Sequence, residues 1–155
     1  MSETRDLTAP ERAFLEQART AVLATVAPNG LPRLVPICYV VAGGQSASAV
    51  VLSPLDEKPK RVVDPHDLER VRDILANPTV SLLVERWSEV WSQLAWLRLL
   101  GRAELLEPSG PDAAEHAAAV GALRAKYPQY EQHRLEDRPI IRIVVEGVRS
   151  WGAIG

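Results

Sequence analysis

The sequence predicts a mainly β protein, a small barrel of about six antiparallel strands with about three helices packed outside it. Three observations carry this. An apolar, β-branched run, Ala21–Val26, meets its partner through Pro28-Asn29-Gly30, and Gly43-Gly44-Gln45-Ser46 marks a second tight turn soon after. Two later stretches, Leu94–Leu106 and Pro139–Val148, are long; the second alternates Ile141, Ile143 and Val145 with Arg142 and Val144. Strands joined by tight turns are the pattern of an antiparallel sheet that closes into a small barrel.

Taken in order, Thr8-Ala9-Pro10-Glu11 is a capping box with proline in the first turn, and Phe14, Leu15 and Ala18 share a face, so a helix is expected over about Pro10–Arg19. Strand Ala21–Val26 follows. At the turn, Asn29-Gly30 supplies the positive φ angles of a tight hairpin. Leu31–Val41 returns as one partner strand, and its Pro32 and Pro36, which cannot donate to a ladder, must sit at an edge or a bulge. A strand over Ala47–Ser53 leads into the loop Pro54–Val63. Asp64-Pro65-His66-Asp67 opens a second helix, on which Leu68, Val71, Ile74 and Leu75 share a face, and Asn77-Pro78 ends it. Thr79–Val84 is a strand. Gly101 marks a bend or bulge within Leu94–Leu106. The Ala-rich helix Pro111–Lys126 stops at Pro128, and Pro139–Val148 closes the sheet. No linker, repeat or low-complexity run divides the chain, so residues 1–155 are expected to form one domain, with 1–8 a flexible N-terminus.

Composition narrows the function. Of 155 residues, 46% are hydrophobic and 25% charged, and the formal net charge is −2, which suits neither a coat for nucleic acid nor a binder of anionic membranes. Cys38 is the single cysteine, so no internal disulfide and no cysteine zinc cluster can form. The polar start Met1–Asp6 has no apolar signal core, and no apolar run nears the roughly 20 residues of a membrane span. A cytoplasmic protein is expected. The histidines, His66, His116 and His133, lack metal-ligand spacing and read as solvated surface groups; no nucleophile–base signature is present. If the chain is an enzyme, its chemistry belongs to a cofactor.

Three features could hold one. In Ser53-Pro54-Leu55-Asp56-Glu57-Lys58-Pro59-Lys60-Arg61, two of the chain's three lysines stand two residues apart. A hydroxyl at Ser53 with cations at Lys58, Lys60 and Arg61 on a proline-stiffened loop suits a phosphate; equally, Asp56 and Glu57 can pair with those bases. Trp87, Trp91 and Trp96 gather around the start of the long strand, where indoles stack on a planar ring, pack in the core or meet another subunit. Arg149 and Trp151 repeat the arginine–tryptophan theme at the C-terminus. Finally, Pro36 in Leu34-Val35-Pro36-Ile37-Cys38 frees backbone groups able to bond the edge of a flat heterocycle.

Ala21–Val26, Asn29-Gly30 and Leu34-Val35-Pro36 together resemble the opening of the pyridoxamine 5′-phosphate oxidase-like split-barrel family. Asp56–Arg61, Asn77-Pro78 before Val80–Val84, Trp96 with Gly101-Arg102-Ala103, Tyr127-Pro128-Gln129-Tyr130 and Ile141–Trp151 resemble its branch of F420-dependent oxidoreductases (PPOX class), over about Glu11–Trp151. The resemblance implies an FMN-binding-type split β-barrel, a homodimer, and coenzyme F420 or FMN held in grooves at the dimer interface. It implies that Ser53, Lys58, Lys60 and Arg61 hold the cofactor phosphate and that Val35, Pro36 and Ile37 lie along the ring. Trp87, Trp91 and Trp96 would come from the interface, with Arg149 and Trp151 closing the groove. Ala95 departs from the branch, where a second bulky aromatic is expected beside Trp96. The expected function is hydride transfer from reduced F420 to an unsaturated or conjugated small molecule; the alternatives are an FMN oxidase or reductase, and a non-enzymatic flavin-binding or sensing module.

Overall fold

The computed structural model describes residues 5–44, 48–55 and 64–155. Its strands are β1 (Ala21–Val26), β2 (Pro32–Ile37), β3 (Val40–Gly43), β4 (Ala49–Pro54), β5 (Thr79–Arg86), β6 (Ala95–Leu106) and β7 (Ile140–Gly152), and its α-helices are α1 (Ala9–Gln17), α2 (Glu69–Ala76) and α3 (Ala113–Lys126). The strands form one antiparallel sheet in the order β2-β1-β5-β6-β7-β4-β3. Among the described residues seven strands replace the expected six, because Leu31–Val41 is two strands, parted at Cys38-Tyr39, and not one.

That break explains the shape. β2 and β3 are the two edges of the sheet, yet only two residues separate them. Three Cα steps reach at most about 11 Å, whereas the edges of a flat seven-stranded sheet lie about 29 Å apart. The sheet therefore curls until its edges meet without pairing, which is the split-barrel arrangement the resemblance implies. Pro32 and Pro36 fall on the edge strand β2, where the missing N–H costs least.

The first turn differs from the expected one in detail. Only Gly30 has positive φ (86°), not Asn29. Gly30 N–H donates to Ala27 O (2.8 Å), and Asn29 Oδ1 accepts from Leu31 N–H (3.1 Å). Proline at the second position favours a type I turn, whose central residues keep φ negative, so the glycine closing the loop takes the left-handed conformation.

The bulge expected at Gly101 is present, but its extra residue lies on β7. Leu100 faces Gly147 and Gly101 faces Val145, so Glu146 has no counterpart. The bulge changes which residues point inward: Ile141, Ile143 and Val145 before it, Val148 after it. A Cβ at Gly101 would come within 2.5 Å of Ile143 Cγ2, so the crossing needs a glycine.

The inner face of the barrel, with Phe14 and Leu15 of α1 and Val71 and Ile74 of α2, forms the main core. A second cluster lies outside it, where Ala119, Val120 and Leu123 of α3 cover Val40, Val50, Leu52 and Ile140 of β3, β4 and β7. α3 thus shields one half of the outer surface of the sheet. α1 begins with the expected capping box, Thr8 with Glu11. Arg5 and Thr8, within the stretch expected to be flexible, both bond the buried Glu11, which also accepts from Ser150 Oγ (2.6 Å). No helix among the described residues is long and apolar enough to cross a membrane.

Candidate functional site

No described residue covers the other half of the outer surface, on β2, β1, β5, β6 and the end of β7, where Leu34, Leu83 and Trp151 are exposed. Its rows can be read from the register. Pro36 pairs with Val22, Val22 with Leu83, Leu83 with Arg98, and Arg98 with Arg149. The next row runs from Glu85 to Trp96 to Trp151. Trp87 follows directly on the end of β5 and opens the loop to β6. Trp96 is half-buried and carries the Arg98 guanidinium 5.5 Å from its ring centroid. Trp151 is 52% exposed, Trp87 66% and Trp91 74%. Core packing is therefore not what three of these four indoles do. A recess of about 260 Å³ is lined by Leu83, Glu85, Trp96 and Arg98.

The loop bearing Trp87 and Trp91 is held by its own polar groups. Val90 N–H donates to Ser88 Oγ (3.0 Å), Arg86 Nε donates to Gln93 O (3.1 Å), and a short turn, Trp91–Gln93, returns the chain to β6. The exposed indoles sit on an ordered support.

Val35, Pro36 and Ile37 do not share one face. Pro36 points outward, while Val35 is half-buried and Ile37 buried against the core. A strand offers a ligand alternate side chains, so of the three only Pro36 can present its ring outward; Val35 and Ile37 can contribute backbone along the free edge of β2. Ala95 points inward, 3% exposed, so its small size shapes the core and not the outer groove.

Ser53 is buried on β4, and its hydroxyl donates to Cys38 O (2.8 Å) across the seam where the sheet edges meet. The seam is further tied by α3. Tyr39 N–H donates to Tyr127 Oη (3.1 Å), whose hydroxyl donates to Arg19 O (2.9 Å), and Lys126 Nζ donates to Tyr39 O (3.0 Å). Burial and the Arg19 charge pull the Lys126 pKa down to about 8. Lys58, Lys60 and Arg61 lie outside the described residues. Along the curled sheet, three strand spacings separate β2, which carries Pro36, from β6, which carries Trp96.

One histidine differs from the expectation of solvated groups. His116 is 2% exposed and its Nε2 donates to Arg138 O (2.6 Å). It lines a recess of about 340 Å³ along α3 with Arg124 and Glu136, but those two pair with each other and Arg124 also bonds Tyr130 O and His133 O. His66 lies between Asp64 (2.8 Å) and Glu107 (2.9 Å), which push its pKa up, Glu107 most. No group of three or more His, Cys, Asp or Glu side chains placed to hold a metal ion occurs among the described residues.

Sequence reasoning puts Arg98 on the same strand face as Trp96, two residues away, without counting it among the site residues; its position opposite Arg149 comes only from the register.

A family model described as pyridoxamine 5′-phosphate oxidase matches residues 7–152. Among solved structures, a conserved hypothetical protein of Mycobacterium tuberculosis superposes with a TM-score of 0.70 at 22% identity, over 98% of this chain and 88% of that one. A FAD-binding protein of Mesorhizobium loti gives 0.62 at 21% identity, over 95% and 96% of the two chains. A heme-binding protein of Mycobacterium smegmatis gives 0.63 at 22% identity, over 97% of this chain and 57% of that one. At these identities the likeness is one of fold. No curated protein matches the sequence.

Proposed function

The chain belongs to the pyridoxamine 5′-phosphate oxidase family, and from that premise we propose that it is an oxidoreductase that binds coenzyme F420 between two copies of itself. The observation that carries this reading is the outer face that no described residue covers, where Trp96 and Trp151 stand with Arg98 and Arg149 and the exposed Trp87 follows the end of β5. Indoles and a proline offer flat apolar surfaces to a tricyclic ring, and guanidiniums offer donors to its oxygens. This donor set fits a flavin or deazaflavin and offers nothing suited to a metal centre.

In this reading a second copy brings its aromatic corner to the seam of the first, where Pro36 and the backbone of Val35 and Ile37 border the ring. Ser53 marks the start of the phosphate segment, and Lys58, Lys60 and Arg61 supply the cations. Trp91 and Trp151 shut water out. When bound, the deazaflavin supplies a hydride. The protein contributes binding, orientation and a dry surface, and needs no side-chain nucleophile. The substrate is an unsaturated small molecule, and the single cysteine suits a reducing, cytoplasmic setting.

Side-by-side fluorescence titration of the ligand-free protein with F420 and FMN tests this. Tight F420 binding with weak FMN binding is the expected result. The reverse preference assigns the protein to FMN chemistry, and binding without turnover of any acceptor makes it a flavin carrier or sensor. Binding of neither overturns the cofactor reading. Lys58→Ala and Lys60→Ala should each weaken cofactor binding about tenfold or more, the loss of one charged hydrogen bond, with unchanged unfolding curves. Equal affinity in both variants would remove the phosphate assignment.

A further inference from the structure

We infer that the recess along α3 beside His116 is a binding site for a small neutral hydroxyl compound, an apolar body of about one ring with a single O–H donor. None of its lining residues belongs to the outer-face corner, so the site stands or falls apart from the cofactor reading.

One imidazole supplies the polar contact. His116 is buried, and its Nε2 lies 2.6 Å from Arg138 O. A carbonyl oxygen can only accept, so the ring proton sits on Nε2 and the neutral ring leaves Nδ1 as a lone pair. No described residue bonds Nδ1. Buried polar atoms are normally satisfied, and this ring is a wall of the recess of about 340 Å³. Nδ1 is thus the one nitrogen of the ring left to meet a ligand.

The helix leaves room beside that nitrogen. Ala113, Ala117 and Gly121 are four residues apart, share one face of α3, and all line the recess. Glycine inside a helix is less stable than alanine, yet a Cβ at Gly121 would meet no atom within 4 Å. Packing within the described chain therefore does not call for the glycine. What it preserves is the depth of the recess, to which Val120 and Pro108 add apolar wall. A volume of about 340 Å³ is at the small end of ligand pockets, roughly 300–1,000 Å³, and holds a compound of about one ring.

The polar wall decides the charge of that compound. Arg124 Nε donates to Tyr130 O (3.1 Å), Nη2 donates to His133 O (2.8 Å), and Nη1 pairs with Glu136. Every guanidinium nitrogen is engaged and the ion pair is neutral as a whole. An anion finds no free cation here, and a cation finds a carboxylate already paired. A neutral O–H finds the Nδ1 lone pair, and with one donor on an apolar body little else has to be desolvated.

The full chain, free of cofactor, is titrated at neutral pH with phenol and with anisole, its methyl ether, while heat and backbone amide NMR shifts are followed. Phenol should bind about tenfold more tightly than anisole, the effect of one buried hydrogen bond. The amides that shift should be those of α3 and residues 136–138, not those of β6. His116→Gln keeps a donor for Arg138 O and removes the ring acceptor, so it should bring phenol down to the affinity of anisole. Gly121→Leu fills the recess from the helix. It should weaken both compounds about tenfold or more, with an unfolding midpoint equal to or above that of the wild type, because leucine is the better helix former. Equal affinity of the wild type for phenol and anisole overturns the proposal, since water would then serve Nδ1 as well as a ligand does. Unaltered binding by Gly121→Leu, or phenol shifts confined to the tryptophan corner, also overturns it. Should His116→Gln fail to fold, the ether comparison and Gly121→Leu still decide.

Discussion

Glu11 shows how much one buried carboxylate can hold together. Its side chain takes both guanidinium nitrogens of Arg5 (2.7 and 2.8 Å), the Thr8 N–H (2.9 Å) and the Ser150 hydroxyl (2.6 Å), so it joins the N-terminal stretch, α1 and the end of β7. The Arg5 bonds, helped by Ser150 and Thr8, outweigh burial and lower its pKa from 4.5 to about 2. A depressed folded pKa means stability that is present above pH 4.5 and lost as pH falls toward 2. Glu11→Gln should therefore cost about 1–3 kcal/mol at pH 7 and flatten the acid limb between those values, read by urea unfolding at pH 7 and pH 3. A variant with the wild-type acid limb would show that other carboxylates govern it. Position 11 was legible as a capping residue from Thr8-Ala9-Pro10-Glu11 alone; its bond to Ser150 was not, because a contact across 139 residues leaves no local pattern.

At the scale of elements, the seam between β2 and β3 is where local reading failed and why. Leu31–Val41 has the composition of one strand, and nothing in its neighbours marks the exchange of partners from β1 to β4. What breaks it is remote: α3 delivers Tyr127 and Lys126 to Tyr39, satisfying backbone groups that a continuous ladder would have used. By contrast, β1, α2 and the bulge near Gly101 were readable, since β-branching, helical spacing and glycine act over a few residues. The same division holds for the site. Trp96, Arg149 and Trp151 could be nominated by residue type, but their common face depends on a β6–β7 register that the bulge at Glu146 shifts. Tyr127→Phe tests the seam. It leaves the buried Tyr39 N–H without its acceptor and should destabilise the protein by about 1–3 kcal/mol. Because Ser53 bonds the neighbouring Cys38 carbonyl, cofactor binding should weaken too. Full stability in this variant would mean that water accepts the Tyr39 N–H as well as the tyrosine hydroxyl does, since the Lys126 ammonium can only donate.

For the whole molecule the decisive asymmetry is between the half of the sheet that α3 covers and the half that no described residue covers. Leu34 and Trp151, 70% and 52% exposed, lie on the uncovered half with Leu83 and Trp96 near its centre. Exposed apolar surface of this kind marks an interaction site, and a second copy in the proposed assembly would bury it while completing the cofactor groove. One substitution separates these roles from folding. Leu83 is partly exposed, so Leu83→Arg should leave the unfolding curve nearly unchanged. In an interface centred on β5 and β6 it sets a third positive charge beside Arg98 and Arg149, and should raise the dimer dissociation constant by about tenfold or more. Sedimentation equilibrium across a range of concentrations reads this directly. Wild-type dimer with monomeric Leu83→Arg, and F420 affinity lost in proportion, joins assembly to cofactor binding. A wild-type protein that sediments as a monomer would leave each chain to hold its cofactor alone and would remove the second copy from the proposed groove.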